Sequence, residues 1–553
     1  MKIDLDKITP SNFIEDIIWN DLKSGKVKKV VMRFPPEPNG RLHIGHAKAA
    51  CFNFSTAQKF GGKCNLRFDD TNPAKEDADF CDQIAADIAW LGFTPAGVFY
   101  ASEYFEYMRD CAVRLIKNGL AYVDDSTPEE IRRMRGTLTS PGENSPSRTR
   151  SVKENLALFE KMQGGSVPDG GMVLRAIIDM ASPNMNMRDP VIYRVLHAPH
   201  HRTGDKWCVY PMYDFAHPLE DAVEGITHSC CSLEFEDHRP LYDWVTANCV
   251  DGLRPRQIEF ARLNITDTVM SKRYLKQLVD MGAVDGWDDP RMPTLSGLRR
   301  RGVPAHAIVA FCSEVGLAKA VGTVDAAQLY DCIRDELNAT AKRYMVVPDP
   351  VELDIINLTS DFSEEIEVTE GGEYTVPHPT PIDPEVKSTP VVMRKMRLSP
   401  RLYINREDFM VDPPKGYHRL VPNGIARLKN SFIVRCVGYD TDENGNVTRI
   451  RCEKTDEVKA KGVVQWVDRD TAADIRIRAF GPIVPDGDGD FTERINRDSL
   501  TVGTAKAEAG VNDLPVGEGV QFFRIGYFAR DSKDESAFNQ VAELKSSYKP
   551  KGN

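Results

Sequence analysis

Residues 27–34 form a short run rich in β-branched side chains, broken at once by Pro35, Pro36, Pro38, Asn39 and Gly40. A helical spacing follows, with Ile44, Ala47, Cys51 and Phe54 on one face. Such a run predicts a buried strand, the prolines and glycine end it, and apolar positions three and four apart predict a helix resting on a core. Strand, loop and helix in that order are the opening unit of a parallel, Rossmann-type α/β sheet. Residues 64–68 predict a second strand, and a helix is expected from Ala78 to Leu91.

Further along, residues 101–207 mix short segments with Gly/Ser/Pro-rich interruptions at 136–147 and 164–171, which reads as an insertion into that sheet. Strand character resumes at 207–215 and again at 257–265, with an aromatic-rich helix near 239–248 between them. The pattern from 270 to about 340 is helical, with turns at Gly282, Gly286 and Gly302. Beyond Pro348 short alternating runs recur, at 402–404, 431–434 and 462–467, separated by turns such as Asn444-Gly445. Regular short strands of this kind predict one or two small β-barrels, with 377–390 as a Pro-rich connector. The expected chain is multidomain. Residues 1–100 and 208–265 form the Rossmann-type sheet, 101–207 the α/β insert, 266–340 a helical domain and 341–553 two barrels.

The 553 residues are 41% apolar and 28% charged, which excludes wholesale disorder. No stretch reaches the roughly 18 apolar residues of a spanning helix. Acids stand where a secretory signal would carry its apolar core, so a cytoplasmic location and no membrane partner are expected. Twelve cysteines lie between Cys51 and Cys452 with no Cys-x-x-Cys, which predicts idle thiols rather than zinc or a disulfide framework. The net charge is −11, yet Arg132-Arg133-Met134-Arg135, Arg299-Arg300-Arg301 and Arg394-Lys395-Met396-Arg397 are local basic clusters. Phosphates respond to local potential, although each cluster alone reads as a solvated face sooner than as a binding patch.

His43-Ile44-Gly45-His46 falls where the first strand gives way to the first helix. A helix start offers free N–H groups and a positive dipole end, two imidazoles can donate to phosphoryl oxygens, and Gly45 lets a flat base or ribose approach the backbone. In this setting the tetrapeptide favours adenylyl chemistry over a structural histidine pair. Val269-Met270-Ser271-Lys272-Arg273 brings a lysine on a loop, which can neutralise charge on departing pyrophosphate; alone it would read as an exposed turn.

Together the two motifs resemble the signatures of the class I aminoacyl-tRNA synthetases, the second with Val269 in place of the usual lysine. Residues 34–48, 66–73 and 297–302 look like the subgroup that charges glutamate and glutamine, with Arg41 where relatives often carry an aromatic residue. Residues 210–217, 224–229 and 233–237 are more similar to the glutaminyl members. The glutamyl ones usually differ at His217 and carry a basic residue near Cys231. The likeness runs from about residue 27 to the end, weaker in 345–400 and 470–515.

The resemblance implies ATP-dependent activation of L-glutamine to glutaminyl-adenylate, then transfer to the 2′-hydroxyl of the terminal adenosine of tRNA(Gln). ATP and Mg²⁺ are implied, the metal travelling with the triphosphate and not in a protein-only site, with no zinc and a monomeric state. The catalytic residues would be His43, His46, Lys272 and Glu37. ATP would lie on Glu37, Pro38, Asn39, His43, Ile44, Gly45, His46, Ala47, Lys48 and Ala49, completed by Ser232, Arg262, Leu263, Met270, Ser271 and Lys272. Glutamine would meet Asp69 at its ammonium, Arg33 at its carboxyl end and Tyr213 at its amide. For tRNA, Leu138 matches a wedge at the first acceptor pair and Asp237 a reader of the acceptor minor groove. Ala318, Lys319, Ala320, Val321, Gly322, Thr323, Val324 and Asp325 match the inner bend, and Arg343, Arg419 and Gln521 match anticodon contacts. Tyr213 by itself would read as a core aromatic.

Three other readings compete. A glutamyl-tRNA synthetase, including a non-discriminating one, is disfavoured by residues 217–237. A small nucleotidyltransferase leaves the insert and the β-rich third unexplained. A non-catalytic tRNA-binding paralogue predicts damaged signatures, whereas His43, His46 and Lys272 are intact.

Overall fold

The computed structural model describes residues 4–74, 78–371 and 392–545. The chain divides into two units, Met1–Asn264 with Cys312–Thr323, and Ile265–Phe311 with Val324–Asn553.

In the first unit, strands Val31–Phe34, Lys63–Phe68 and Val98–Tyr100 pair in parallel, and so do His228–Ser232 and Arg256–Phe260. Thr227 joins the two sets: its N–H donates to Val31 O at 2.9 Å, and its hydroxyl accepts from Val31 N at 3.0 Å. The resulting order is Val98, Lys63, Val31, His228, Arg256, with crossover helices Ile44–Lys59 and Ala78–Trp90 where the apolar spacing places them. Gly62 makes the return from helix to strand possible, because a Cβ there would lie 2.3 Å from Val30 O.

The insert is a four-stranded antiparallel sheet, Ala121–Asp124, Val173–Ala176, Val191–Val195 and Val209–Pro211, packed with helices Phe105–Lys117 and Val152–Gln163. This corrects the strand expected at 207–215. Only Val209–Pro211 is extended, and it pairs with Val191–Val195 of the insert rather than with the parallel sheet. Tyr213–Val223 is helix, its Phe215, Ala216 and Leu219 buried at helical spacing; the aromatic run before it masked that period.

The second unit carries helices Lys272–Asp280, Leu295–Arg301 and Ala326–Thr340. The expected helical domain of 266–340 loses residues 312–323 to the first unit, where Ala318 O accepts from Ala261 N at 2.8 Å. Two seven-stranded sheets follow. One starts on Val463–Val464 and ends on Val467–Asp468; the other starts on Lys342–Tyr344 and ends on Val346–Val347. Since the two edge strands of each sheet are neighbours in the chain, each sheet curls round on itself, around Trp466, Ile404 and Cys436 in one and Phe522, Phe528 and Phe538 in the other. The connector expected at 377–390 lies outside the described residues.

The Arg299-Arg300-Arg301 cluster departs from the solvated face expected of it. Arg300 is ion-paired to buried Asp531 at 3.0 Å, and Arg301 donates to Gln540 O at 2.9 Å, so both join helix Leu295–Arg301 to the second barrel. All twelve cysteines are free thiols, and all but Cys208 are buried.

Candidate active site

Four of the five parallel strands lead at their C-terminal ends into residues singled out by sequence. Val31–Phe34 leads to Glu37, Pro38, Asn39 and His43, and Lys63–Phe68 to Asp69. His228–Ser232 ends on Ser232, and Arg256–Phe260 leads to Arg262 and Leu263. The crevice outside the carboxyl ends of such strands is where α/β sheets bind ligands.

His43 is the N-cap of Ile44–Lys59. Its Nδ1 accepts from Gly45 N at 3.1 Å, and His46 Nδ1 accepts from His43 N at 3.2 Å. Each ring therefore carries its proton on Nε2. Burial pushes the His43 pKa down to about 4, so its imidazole is neutral at physiological pH. The rings lie 3.8 Å apart between centroids, giving two N–H donors above a helix N-terminus, a setting suited to phosphate. Glu37 is exposed and accepts from the Asn39 amide. Ile44 and Ala47 are buried, and Ala49 is half-buried. Lys48 departs from its expected place on the ATP floor. It lies on the buried stripe of the helix with Ile44, Ala47 and Cys51, so its side chain runs along the core.

Beneath Asp69 is a buried ionic network. Arg33 Nε pairs with Asp221 Oδ1 at 3.0 Å, while its terminal nitrogens donate to Cys230 O and Ser229 Oγ, each at 2.9 Å. Arg67 pairs with Asp221 at 2.8 Å, Glu220 at 2.9 Å and Glu224 at 3.3 Å. Asp221 Oδ2 accepts from Ser229 Oγ at 2.6 Å and from Tyr242 Oη at 2.9 Å. The charge of Arg33, the residue expected at the carboxyl end of glutamine, is already balanced by Asp221. His217 sits against both guanidiniums, and burial lowers its pKa to about 3. Tyr213 stacks on His217 with centroids 5.2 Å apart and planes 9° apart. Burial raises the Tyr213 hydroxyl and the Cys231 thiol, so both stay protonated. Asp69 accepts from Thr71 Oγ1 at 3.2 Å, and burial raises its pKa to about 7 despite the opposing field of Arg67.

Sequence reasoning missed Arg67, Glu220, Asp221 and Ser229. The available signal was an arginine in each of two buried strands, matched by the adjacent buried acids Glu220 and Asp221 in Tyr213–Val223. Asp70, His200 and His201 form the one cluster of three or more metal-capable side chains among the described residues. There His200 Nε2 donates to Asp70 O at 2.7 Å and its Nδ1 accepts from Arg202 N at 3.1 Å, so that imidazole is engaged and the set does not fit a metal.

The remaining residues are spread over both units. Leu138 is 83% exposed at the tip of the turn Thr137–Ser140 in the insert. Asp237 is exposed, and its carbonyl accepts from Asn184 Nδ2 at 2.7 Å. Residues 318–323 are exposed; Val324 is half-buried, and Asp325 caps Ala326–Thr340 through Ala327 N at 2.9 Å. In the second unit, Ser271 is the N-cap of Lys272–Asp280. Val269 packs against the cluster of Leu275, Leu278 and Ile483, so the residue that departs from the family signature is an apolar anchor for its loop. Arg343 and Gln521 are direct partners in the pair Lys342–Tyr344 with Gly519–Phe522. Arg419 is elsewhere, ion-paired to Asp408 at 3.1 Å.

Residues 29–339 match the model of the tRNA synthetases class I (E and Q), catalytic domain; residues 341–455 and 463–531 match two anti-codon binding domain models of the same group. The chain belongs to the class I tRNA synthetases of the E and Q group. Among relatives of this synthetase, the glutamine–tRNA ligase of Clostridium kluyveri is 49% identical, covering 98% of this chain and 99% of that one. The glutamine–tRNA ligase of Clostridium perfringens is 51% identical with the same coverages. A solved glutamate-tRNA synthetase from Elizabethkingia anophelis covers 57% of this chain and 71% of its own at 19% identity and a TM-score of 0.42, too loose a likeness to bear on the site.

Proposed function

We infer that this synthetase is a glutamine–tRNA ligase, a reading carried by the neutral wall of Tyr213, His217 and Cys231 beside an Arg33 already balanced by Asp221. A side-chain amide finds hydrogen-bonding groups there. A carboxylate finds a phenol, a neutral imidazole and a thiol, and its desolvation goes uncompensated. The near full-length likeness to glutamine–tRNA ligases supports the same substrate. Parallel charging of tRNA with labelled glutamine and glutamate tests it, and a preference for glutamate would overturn it.

The glutamine carboxylate attacks the α-phosphorus of ATP and pyrophosphate leaves; the tRNA 2′-hydroxyl then attacks the acyl carbon and AMP leaves. His43 and His46 donate Nε2–H to phosphoryl oxygens at the helix N-terminus. Lys272 is assigned by its signature to the pyrophosphate, and Glu37 to the proton of the ribose hydroxyl. Mg²⁺ accompanies the triphosphate. Leu138 acts as the wedge that opens the first acceptor pair, and Asp237 reads the acceptor minor groove.

Asp69 holds the ammonium only when ionised. Since its pKa is raised to about 7, the charged form gains as pH rises through that value. The KM for glutamine is expected to fall between pH 6 and pH 8; a flat profile would separate Asp69 from substrate.

Arg343 and Gln521, side by side on one sheet, are assigned to a splayed anticodon base. Arg343→Ala is expected to lower charging of whole tRNA by about 10–100-fold. A minihelix with only the acceptor arm should be charged as before. Equal losses on both substrates would give Arg343 a role in the fold instead.

A further inference from the structure

The insert holds a second arginine pair that none of the chemistry above uses. Arg188 is 2% exposed, and among the described residues its guanidinium meets backbone carbonyls and no carboxylate. Its Nε donates to Ser182 O at 2.6 Å. The two hydrogens of its Nη1 are shared among three carbonyls, Arg135 O and Thr137 O at 2.9 Å and Ser140 O at 2.8 Å. Those carbonyls belong to the turn that carries Leu138. Thr137 and Ser140 close that turn on each other, with N–H to O distances of 3.1 and 3.3 Å, so Arg188 sits at the base of the turn with Leu138 at its tip.

A reciprocal contact runs the other way. Arg135, which leads into the turn, donates through Nε and Nη2 to Met185 O at 3.1 and 2.8 Å. Burial and the neighbouring charges of Arg175 and Arg188 lower its pKa. The turn 182–188 and the loop 135–140 are thus clasped by two guanidiniums, each donating to the other segment's carbonyls. Gly136 between them has φ +74°, and a Cβ there would lie 2.6 Å from Pro141 O, so the backbone path is narrowly defined as well.

We propose that Arg188 is a positioning residue for tRNA charging: its guanidinium, clasped with Arg135, holds the loop 135–140 rigid so that Leu138 enters the acceptor stem without first being ordered. An exposed apolar side chain on a loose loop would lose conformational freedom at the moment of insertion, whereas here the loop is already tied down by the guanidinium contacts and by its own closing hydrogen bonds. One planar guanidinium spans both segments, Nε on Ser182 O and Nη1 on the carbonyls of the turn, a reach that the single nitrogen of a lysine cannot match. The proposal rests on Leu138 being the wedge, and the test separates the two ideas.

Charging is measured on tRNA with an intact first acceptor pair and on tRNA in which that pair is mismatched and already open. Arg188→Met is expected to lower kcat/KM on the intact tRNA by about 10–100-fold and to stay within about 3-fold of the parent protein on the mismatched one. Hydrogen exchange at the Thr137 and Ser140 amides should accelerate while the insert core is unchanged. Leu138→Ala, run alongside, should show the same selective loss. Should Leu138→Ala show no selectivity, the wedge reading itself falls. Should it be selective while Arg188→Met matches the parent, the clasp alone is overturned. Equal losses on both tRNAs would also overturn the clasp, making Arg188 a support of the fold. If Arg188→Met does not fold, Arg188→Lys is read in the same assays, and failure of that variant to fold would overturn the proposal too.

Discussion

Replacing Lys272 by alanine is expected to slow glutaminyl-adenylate formation by about 10²–10³-fold, the usual consequence of losing one preorganised donor to developing charge. Lys272 is the first residue of helix Lys272–Asp280, and the substitution leaves in place the apolar cluster by which Val269 anchors the preceding loop. Glutamine binding should barely change, because that charge develops only as pyrophosphate departs. Single-turnover activation in the presence of tRNA measures the step directly. Activation at the parent rate would remove Lys272 from the mechanism. A loss confined to KM would recast it as a ground-state contact.

The second large effect is on stability. Asp221 is fully buried and carries one carboxylate between two buried guanidiniums, Arg33 at 3.0 Å and Arg67 at 2.8 Å. Those guanidiniums hold its pKa far below the usual carboxylate range. Asp221→Ala leaves Arg33 with no carboxylate among its described partners and Arg67 with Glu220 and Glu224 only. The first unit should lose about 3–5 kcal/mol, the range for removing one partner of a buried ion pair. Denaturant unfolding checks this, and a loss below about 1 kcal/mol would mean that water or a rearranged Glu220 replaces the carboxylate. Asp221→Asn should recover the hydrogen bond to Ser229 but not the charge, and so fall between the two. Any folded Asp221 variant is also expected to discriminate less well against glutamate, since an unbalanced Arg33 attracts a carboxylate.

These two predictions differ in how far the sequence leads to them. Lys272 is proposed from its signature alone, because a loop lysine beside Met270 and Ser271 is local in the chain. Asp221 is found only in the fold. Its partners Arg33 and Arg67 are 188 and 154 residues away, and no short spacing announces the match. The same holds for Arg300, whose sequence neighbours suggest a solvated basic face and whose partner Asp531 is 231 residues on.

By itself, the sequence determined the opening strand, the proline-rich break and the helix that starts at the His43 motif, because strand and helix periods and turn residues act over a few positions. It also determined that short strands fill the last third, through alternation and turns. The tertiary structure decided the rest. It gave strand Val209–Pro211 to the insert, moved residues 312–323 into the first unit, and turned Lys48 toward the core. It engaged Arg33 with Asp221 and set the neutral His217 and Cys231 beside it. The physical reason is common to all four. Strand partners, burial and ion pairs depend on which distant segments share a surface, and their energies come from desolvation and charge balance that no local period encodes.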